Sequence, residues 1–202
     1  MARQPLDVEL QQVDLKELAR CHRLCLPRTA SSRAGLTVLE DLYAALLADP
    51  AAHVVWERGP AQAPCHGAFA AGTIRYRETE THTRRSLSRT SFVRLALHVA
   101  SMPAHVLARR RWETLIPHER IGYILTLGVA SAVVEASNTR RGGELLADLE
   151  RWFSTRGATA SFVDTELSNR RAHAFYGRAG YVEVSRDYGQ VLLQKPLHGA
   201  SG

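Results

Sequence analysis

Residues 169–181, Asn-Arg-Arg-Ala-His-Ala-Phe-Tyr-Gly-Arg-Ala-Gly-Tyr, decide the fold because they follow a strand-like run and place polar and aromatic groups at helical spacing. Asn169 stands where that strand ends and a helix begins, and Ala172 shares one helix face with the Phe-Tyr pair that follows it. Gly180 ends the helix before another strand begins. The stretch therefore predicts a strand, a helix and a strand in succession, with Tyr176 on the helix.

Working outward, alternating or continuous apolar runs predict seven strands, and apolar stripes at helical spacing predict five more helices. The predicted strands are residues 8–11, 53–56, 65–72, 122–129, 160–166, 181–184 and 191–194. The predicted helices are residues 14–25, 37–47, 91–99, 103–112 and 143–156. Residues 28–35 read as a loop, and the turn-rich segment 59–64 predicts a hairpin between the strands on either side of it.

The pattern Asn-x-x-Ala-x-x-Phe-Tyr-x-x-x-Gly-Tyr resembles the C-terminal motif of the GCN5-related N-acetyltransferases, the GNAT superfamily. The order of elements from residue 122 to about residue 197 is similar to that family as well. The resemblance implies an α/β (α+β) fold, with a mixed, mostly antiparallel central sheet flanked by helices. We expect one acetyltransferase domain over residues 1–197, a helical insertion at about residues 74–120 between the third and fourth strands, and a disordered tail at 198–202.

Acetyl-CoA is the co-substrate that this resemblance implies. In similar proteins the strand at 122–129 splays from its neighbour, and its backbone near Leu127, Gly128 and Val129 pairs with the pantetheine arm. The pyrophosphate needs converging backbone N–H donors at a helix N-terminus, where the helix dipole is positive. A basic, glycine-containing loop before the helix at 143–156 is the candidate, and it consists of Arg140, Arg141, Gly142, Gly143 and Glu144. Leu145 departs from the family pattern, which has glycine or alanine there.

Acetyl transfer to an amine needs a neutral nucleophile and a proton for the departing thiolate. The resemblance makes Tyr176, which also contacts the co-substrate, the general acid; the alternative is a core tyrosine. Asn169 contacts the pantetheine or holds the strands apart, unless it is a helix cap. Asp164 and Tyr123 are candidates for deprotonating the amine, although Asp164 also fits a solvent-facing or arginine-paired position.

His118 and Glu119 are weaker candidates for the base, and His173 is expected at the surface. No cysteine lies near the motif residues, so direct transfer is expected in place of a covalent acyl-thiol intermediate. Cys21 and Cys25, four residues apart on a helix, are interpreted as two buried thiols and not as a metal or redox pair. No metal site is expected.

The segment from Arg75 to Arg120 carries the positive charge of the chain. It holds ten arginines and four glutamates, a balance of +6 that equals the net charge of the whole chain. A lid over the acceptor site, a dimer contact, and a nucleic-acid or membrane surface are three interpretations of this insertion. We favour the lid, because no nucleic-acid-binding motif accompanies the charge and a membrane helix would need a longer apolar face. The dimer contact stays open as the alternative, and it would make the protein a homodimer.

The acceptor is expected to be a primary amine of a small molecule or a peptide, with no nucleic-acid or membrane partner. A cytoplasmic location is the default expectation, because no run of eighteen apolar residues and no apolar leader are present. The imperfect phosphate loop leaves a second function open. In that alternative the chain is a non-catalytic acyl-CoA-binding or protein-interaction module with the same fold.

Overall fold

A computed structural model of the chain describes residues 14–57, 67–117, 120–130 and 135–197, with the backbone alone described at 135–139. Within these ranges there are eight helices and six strands. The helices are α1 (Leu15–Cys25), α2 (Ala30–Ala34), α3 (Leu36–Ala48), α4 (Tyr76–Ser86), α5 (Arg89–Ala100), α6 (Pro103–Trp112), α7 (Glu135–Thr155) and α8 (Arg170–Arg178). The strands are β1 (Ala52–Glu57), β2 (Ala68–Thr73), β3 (Ile121–Val129), β4 (Ala160–Glu166), β5 (Val182–Asp187) and β6 (Gln190–Pro196).

The six strands form one sheet in the order β1-β2-β3-β4-β6-β5. Only β3 and β4 run parallel among these described strands, and every other neighbouring pair is antiparallel. The predicted mixed, mostly antiparallel sheet flanked by helices is confirmed, as is the antiparallel pairing of β1 with β2. The strand predicted at residues 8–11, the connection at 59–64 and the tail at 198–202 lie outside the described residues.

The two faces of the sheet carry separate apolar clusters, because successive strand residues point to opposite sides. On the first face Ala70, Ile124 and Val163 pack with α7 and with Tyr176 of α8. On the second face α1 and α3 cover β1 and β2, and α6 covers β3, β4 and β6. The line along which β3 and β4 meet is thus covered by α7 and α8 on one side and by α6 on the other.

Two glycines let α7 approach the sheet closely. A Cβ atom at Gly122 would lie 2.2 Å from Cγ of Phe153, and one at Gly72 would lie 2.5 Å from the Cζ atom of the same ring. Both distances are far below van der Waals contact, so a side chain at either position would displace the ring from the sheet. These glycines allow Phe153 to be fully buried directly on β2 and β3.

The insertion contains three helices, where the sequence predicted two. The missed helix, α4, has almost no apolar stripe. It buries only a few side chains, those of Tyr76 at its start, Thr79 and the adjoining Leu87. In α6, Ala108 and Trp112 are fully buried against the sheet. The Trp112 indole N–H donates to Asp187 of β5 at 3.0 Å, which fixes the end of α6 to the sheet edge.

Helix α5 carries exposed apolar side chains. Phe92, Val93 and Leu97 point outward among the described residues, with Leu97 68% exposed. No single described helix is long and apolar enough to cross a membrane. Helices α5 and α6 have that length and apolar content only when they are taken together, and they are bent by 92° at their junction. The segment predicted as a loop at 28–35 also forms the short helix α2, which Thr29 caps by accepting from the Ser32 N–H.

Candidate functional site

The parallel strands β3 and β4 separate halfway along their length. Their pairing runs from Ile121 opposite Ala160 to Ile124 opposite Val163. Beyond that pair β3 continues to Val129 and β4 to Glu166, and these described residues are no longer paired with each other. Because extended backbone in a protein interior needs hydrogen-bond partners, the resulting cleft can accept an extended ligand as a strand would.

The three backbone positions predicted for pantetheine, Leu127, Gly128 and Val129, lie in the separated part of β3. Gly128 has no room for a side chain, since an added Cβ would lie 2.5 Å from the Phe69 ring and 2.9 Å from Cβ of Cys25. Helix α1 thus brings Cys25 against the cleft strand, a contact that the sequence did not predict. Its sulfur lies 3.9 Å from that of Cys21.

A β-bulge in β3 decides which side chains face each side of the cleft. The register with β2 passes from Gly72 opposite Ile124 to Ala71 opposite Thr126, so Leu125 is the extra residue. Without the bulge, alternate residues from 123 to 129 would all share one face. With it, Tyr123 packs on the face covered by α6, whereas Leu127 and Val129 pack on the face covered by α7.

Thr126, which directly follows the bulge, was not identified from the sequence. Its hydroxyl oxygen is buried and has no hydrogen-bond partner among the described residues. A buried hydroxyl without a partner costs free energy, so its position beside the cleft suits a bound ligand or water. A lone threonine in an apolar strand carries no signal of this in the sequence.

Helix α8 holds the two polar residues of the opening motif. The side chain of Asn169 accepts from the Ala172 N–H at 3.1 Å and thereby caps the helix, which is the structural alternative noted for this residue. Tyr176 is buried, in edge contact with the rings of Phe175 and Tyr181. Burial, with a contribution from the negative charge of Asp164, raises the pKa of Tyr176 above its ordinary value, so the phenol is protonated at neutral pH.

Asp164 is the first residue of β4 beyond the paired region. The Tyr123 hydroxyl donates a 2.6 Å hydrogen bond to Oδ1 of Asp164. Burial and the Asp164 charge raise the pKa of Tyr123 well above its usual value, so the Tyr123 phenol is protonated at neutral pH when it donates to the carboxylate. The Asp164 side chain retains 11% exposure, and the strand geometry brings together these two predicted residues.

The insertion covers this carboxylate with residues that the sequence did not single out. Arg109 Nη2 lies 3.7 Å from Asp164 Oδ1, and His105 Nδ1, one helical turn earlier on α6, lies 3.9 Å from Oδ2. The Tyr76 ring stacks on the Tyr123 ring at 4.2 Å between centroids, and the Arg109 guanidinium lies 5.5 Å from the Tyr76 centroid. The arginine count pointed to this segment, but only the docking of α6 selects Arg109.

Two pKa shifts describe the environment under α6. Burial raises the pKa of Tyr76 to about 12. Burial is the largest influence on the pKa of Arg109 and acts to lower it, but the combined electrostatic effects of Asp164, Tyr76, Tyr123 and Glu80 raise the pKa above its usual value. Arg109 is therefore a permanent cation beside a half-buried carboxylate.

The segment predicted as a phosphate loop lies inside a helix. Because α7 begins at Glu135, the residues from Arg140 to Glu144 occupy its second and third turns. Arg140 is 84% exposed and pairs with Glu144 at 3.0 Å, while Arg141 lies 3.4 Å from Glu57 of β1. The predicted start at Gly143 is wrong because glycine costs a helix only about 1 kcal/mol, which the surrounding turns can absorb.

Gly142 has a packing role in α7. A Cβ atom there would lie 3.4 Å from the ring of Phe175 and 3.6 Å from Val129, whereas a Cβ atom at Gly143 meets nothing within 4 Å. The remaining candidates are less informative: His118 and Glu119 lie outside the described residues, and His173 is half-buried with its ring 3.2 Å from the Glu166 carbonyl.

Two surface concavities, of about 110 and 370 Å³, lie at the start of β3 and not at Asp164 or Tyr176. The smaller one is lined in part by Tyr76, the tyrosine that stacks on Tyr123. The larger one is lined by Arg75, Arg120 and Arg156. The geometry that combines a separated strand pair, a carboxylate and a buried phenol lies at the opposite end of the β3–β4 pairing, so we place the candidate site there.

Comparisons with known proteins agree with this geometry. Residues 39–181 match the acetyltransferase (GNAT) family. No curated protein matches the chain. Twenty-four solved chains do match.

Three of the solved structures illustrate the likeness. Aminoglycoside 6'-acetyltransferase type Ii is 14% identical with a TM-score of 0.55, over 91% of this chain and 90% of that one. The ribosomal-protein-S18-alanine N-acetyltransferase of Escherichia coli is 13% identical with a TM-score of 0.55, over 95% and 93%. An acetyltransferase from Thermus thermophilus is 14% identical with a TM-score of 0.51, over 91% of each chain. Identities this low show a shared fold and nothing finer.

Proposed function

Because the chain belongs to the GNAT family of acetyltransferases, we propose that it is an N-acetyltransferase that moves an acetyl group from acetyl-CoA directly to a primary amine. One observation carries this proposal. A carboxylate, Asp164, and a buried phenol, Tyr176, approach the same gap between β3 and β4 from opposite faces of the sheet. The effect of the Asp164 charge on the pKa of Tyr176 supports their proximity.

The residues around the cleft fit acetyl-CoA, which supplies an activated acetyl thioester. The separated backbone of β3 from Leu127 to Val129 offers strand-type partners to the pantetheine arm. The Thr126 hydroxyl, which has no partner among the described residues, offers another. The free backbone N–H groups of an α-helix are those of its first turn. We therefore assign the pyrophosphate to the first turn of α7, with Arg140 and Arg141 adding positive charge from further along the helix.

Two side chains handle the protons of the reaction. The amine nitrogen forms the new bond to the acetyl carbon as the carbon–sulfur bond breaks. Asp164 Oδ2 accepts the proton that the amine loses, while Tyr123 holds Oδ1. Tyr176 keeps its proton at neutral pH and donates it to the departing thiolate. Asn169 acts here through the helix that it caps, since it sets the position of Tyr176.

The acceptor amine is assigned by class only. The solved acetyltransferases of this fold include one named for an aminoglycoside and one named for an alanine of a ribosomal protein. These names support both a small-molecule and a peptide amine for this chain. A cytoplasmic location and a homodimer remain predictions.

A thiol-release assay over a panel of primary amines, with calorimetry of acetyl-CoA binding, tests the proposal. We expect micromolar to millimolar acetyl-CoA binding and turnover of at least one amine class. Absence of acetyl-CoA binding at high protein concentration would contradict the enzyme. Binding without turnover of any amine would favour a non-catalytic acyl-CoA-binding module, which the helical position of Arg140 to Glu144 keeps as the second candidate.

A further inference from the structure

Arg109 is an unused hydrogen-bond donor beside the candidate base. Its guanidinium donates no hydrogen bond to any described residue, and its buried Nε atom has no partner among them. The nearest carboxylate oxygen, Asp164 Oδ1, lies at 3.7 Å, beyond hydrogen-bond distance. Buried donors in folded proteins are nearly always paired, so a guanidinium in this setting suits an anionic ligand.

The guanidinium is held in place by its surroundings. Tyr76 supports its face at 5.5 Å, and the fully buried Ala108 and Trp112 fix α6 to the sheet on either side of Arg109 along the helix. The Arg109 side chain is still 31% exposed, so part of it is accessible. A planar cation that is fixed and accessible suits two-pronged binding of a carboxylate or a phosphate-type group.

Asp164 offers the complementary acceptor. Oδ1 accepts from Tyr123, whereas the His105 ring nitrogen Nδ1 lies 3.9 Å from Oδ2, which is too far for a hydrogen bond. Oδ2 can therefore accept from an ammonium or amine. An acceptor that satisfies both residues needs its amine and its anionic group close together, because Asp164 and Arg109 are themselves only 3.7 Å apart.

We infer that Arg109 and Asp164 select an acceptor whose primary amine and anionic oxygen group are attached to the same carbon atom, as in an α-amino acid or an α-aminophosphonate. This rests on the proposed function, because it assigns the acceptor class of the same site. Asp164 receives the amine, Arg109 the anionic group, and His105 lies near enough to contact the latter as a second donor. Arg109 thus determines specificity and takes no part in proton transfer.

The test compares matched acceptors. Amino acids are assayed against their α-amides, their decarboxylated amines, the corresponding α-aminophosphonates and ω-amino acids of similar size. We expect kcat/KM to be about 10- to 100-fold higher for the α-acid than for the amide or the amine, the range expected for a charge-assisted contact. Comparison of the carboxylate with the phosphonate identifies which anion is bound, and a low rate with ω-amino acids confirms the spacing.

Arg109→Met should remove this preference, so that the α-acid and its amide are used alike, while acetyl-CoA binding is retained. Arg109→Lys keeps the positive charge but loses the planar guanidinium, so it should retain part of the preference for the α-acid. Arg110→Met is the matched control, because it makes the same charge change at the exposed neighbouring position and should leave the preference unchanged. Circular dichroism and the thermal midpoint establish that each variant is folded.

Two results would overturn the inference. One is equal use of acids, amides and simple amines by the wild-type protein, which leaves the acetyltransferase proposal intact. The other is an equal loss of kcat/KM with all acceptors in Arg109→Met, which would show that Arg109 has a structural role only. Failure of the proposed function looks different, because no amine is then acetylated. In that case calorimetry of the amino acids with wild type and Arg109→Met still decides recognition, and equal binding by both rejects it.

Discussion

The two faces of the sheet reach the cleft between β3 and β4 with different chemistry. On the face covered by α7 and α8 the cleft is bordered by Leu127, Val129 and Tyr176, and its packing is apolar. On the face covered by α6 a hydrogen-bonded carboxylate, two stacked tyrosines and an arginine are half or fully buried. The first face suits the uncharged arm of a thioester, and the second suits a polar acceptor.

The difference also concerns how each face is built. The α8 face comes from a local motif, whereas the polar face combines residues that are far apart in the chain. Arg109 and Asp164 are 55 positions apart by their numbers and meet because α6 docks on β4 and β6. We expect substitutions on the first face to affect protonation of the departing thiolate, and those on the second to affect deprotonation of the amine, the choice of acceptor and the response to pH.

The largest effect is expected on the α8 face. Tyr176→Phe should lower kcat by about 10²- to 10⁴-fold, the usual contribution of a positioned acid, with acetyl-CoA binding unchanged. Tyr181→Phe is the control, because its hydroxyl donates to Ser161 at 2.7 Å in the core and its loss should cost about 1 kcal/mol of stability but not activity. Full turnover by Tyr176→Phe across the pH range would show that the acid is another group.

The second prediction concerns how the unfolding free energy depends on pH, and it tests a histidine on the face of the sheet that α1 and α3 cover. His22 is buried against Phe69, its Nδ1 lies 2.7 Å from the Tyr43 hydroxyl, and burial lowers its pKa to about 4. Since the unfolded chain binds this proton more readily, the stabilising contribution is complete above about pH 6.5 and is lost as the pH falls towards 4. The loss amounts to about 3 kcal/mol.

Urea unfolding between pH 7.5 and 4.5 measures this contribution. His22→Gln should show a shallower fall of the unfolding free energy with decreasing pH than wild type does. His82→Gln, at an exposed position of α4, should keep the wild-type slope. Parallel slopes for wild type and His22→Gln would mean that His22 is not buried in its neutral form.

The next largest effect is expected from substitution of Asp164, the carboxylate of the polar face. Asp164→Asn keeps the shape and removes the proton acceptor, so kcat/KM should fall by about 10²-fold while acetyl-CoA affinity stays the same. Glu166→Gln changes a carboxylate two residues along the same strand that contacts Ser168 at 3.3 Å, and it should retain activity. If both variants acted alike, the effect would reflect general charge and not a specific base.

The smallest effect distinguishes a helix from a loop at the predicted phosphate site. Gly143→Ala should raise the unfolding free energy by about 1 kcal/mol, because Gly143 lies inside α7 and a Cβ atom there meets nothing within 4 Å. Gly142→Ala should raise the unfolding free energy by less, because its Cβ atom would lie 3.4 Å from Phe175. A loss of acetyl-CoA affinity in Gly143→Ala, measured by calorimetry, would restore the loop assignment.

Local periodicity predicted much of this fold. The strands at 122–129 and 160–166 and the helix after Asn169 were found within one residue of their observed bounds. Helix α4 was missed because it buries a tyrosine and a threonine in place of an aliphatic stripe. The start of α7 was misplaced because adjacent glycines before an apolar stripe favour a turn in the sequence, whereas the helix passes through them.

The sequence alone determined the family resemblance, the positions of Tyr176 and Asp164 in their elements, and the concentration of arginine in one insertion, because each depends on neighbours within a few residues. The tertiary structure decided the rest. The bulge at Leu125 sets which face Tyr123 and Leu127 occupy, and the docking of α6 selects Arg109 from ten arginines. Both depend on contacts between strands and helices distant in the chain, and such contacts leave no periodic pattern in a single sequence.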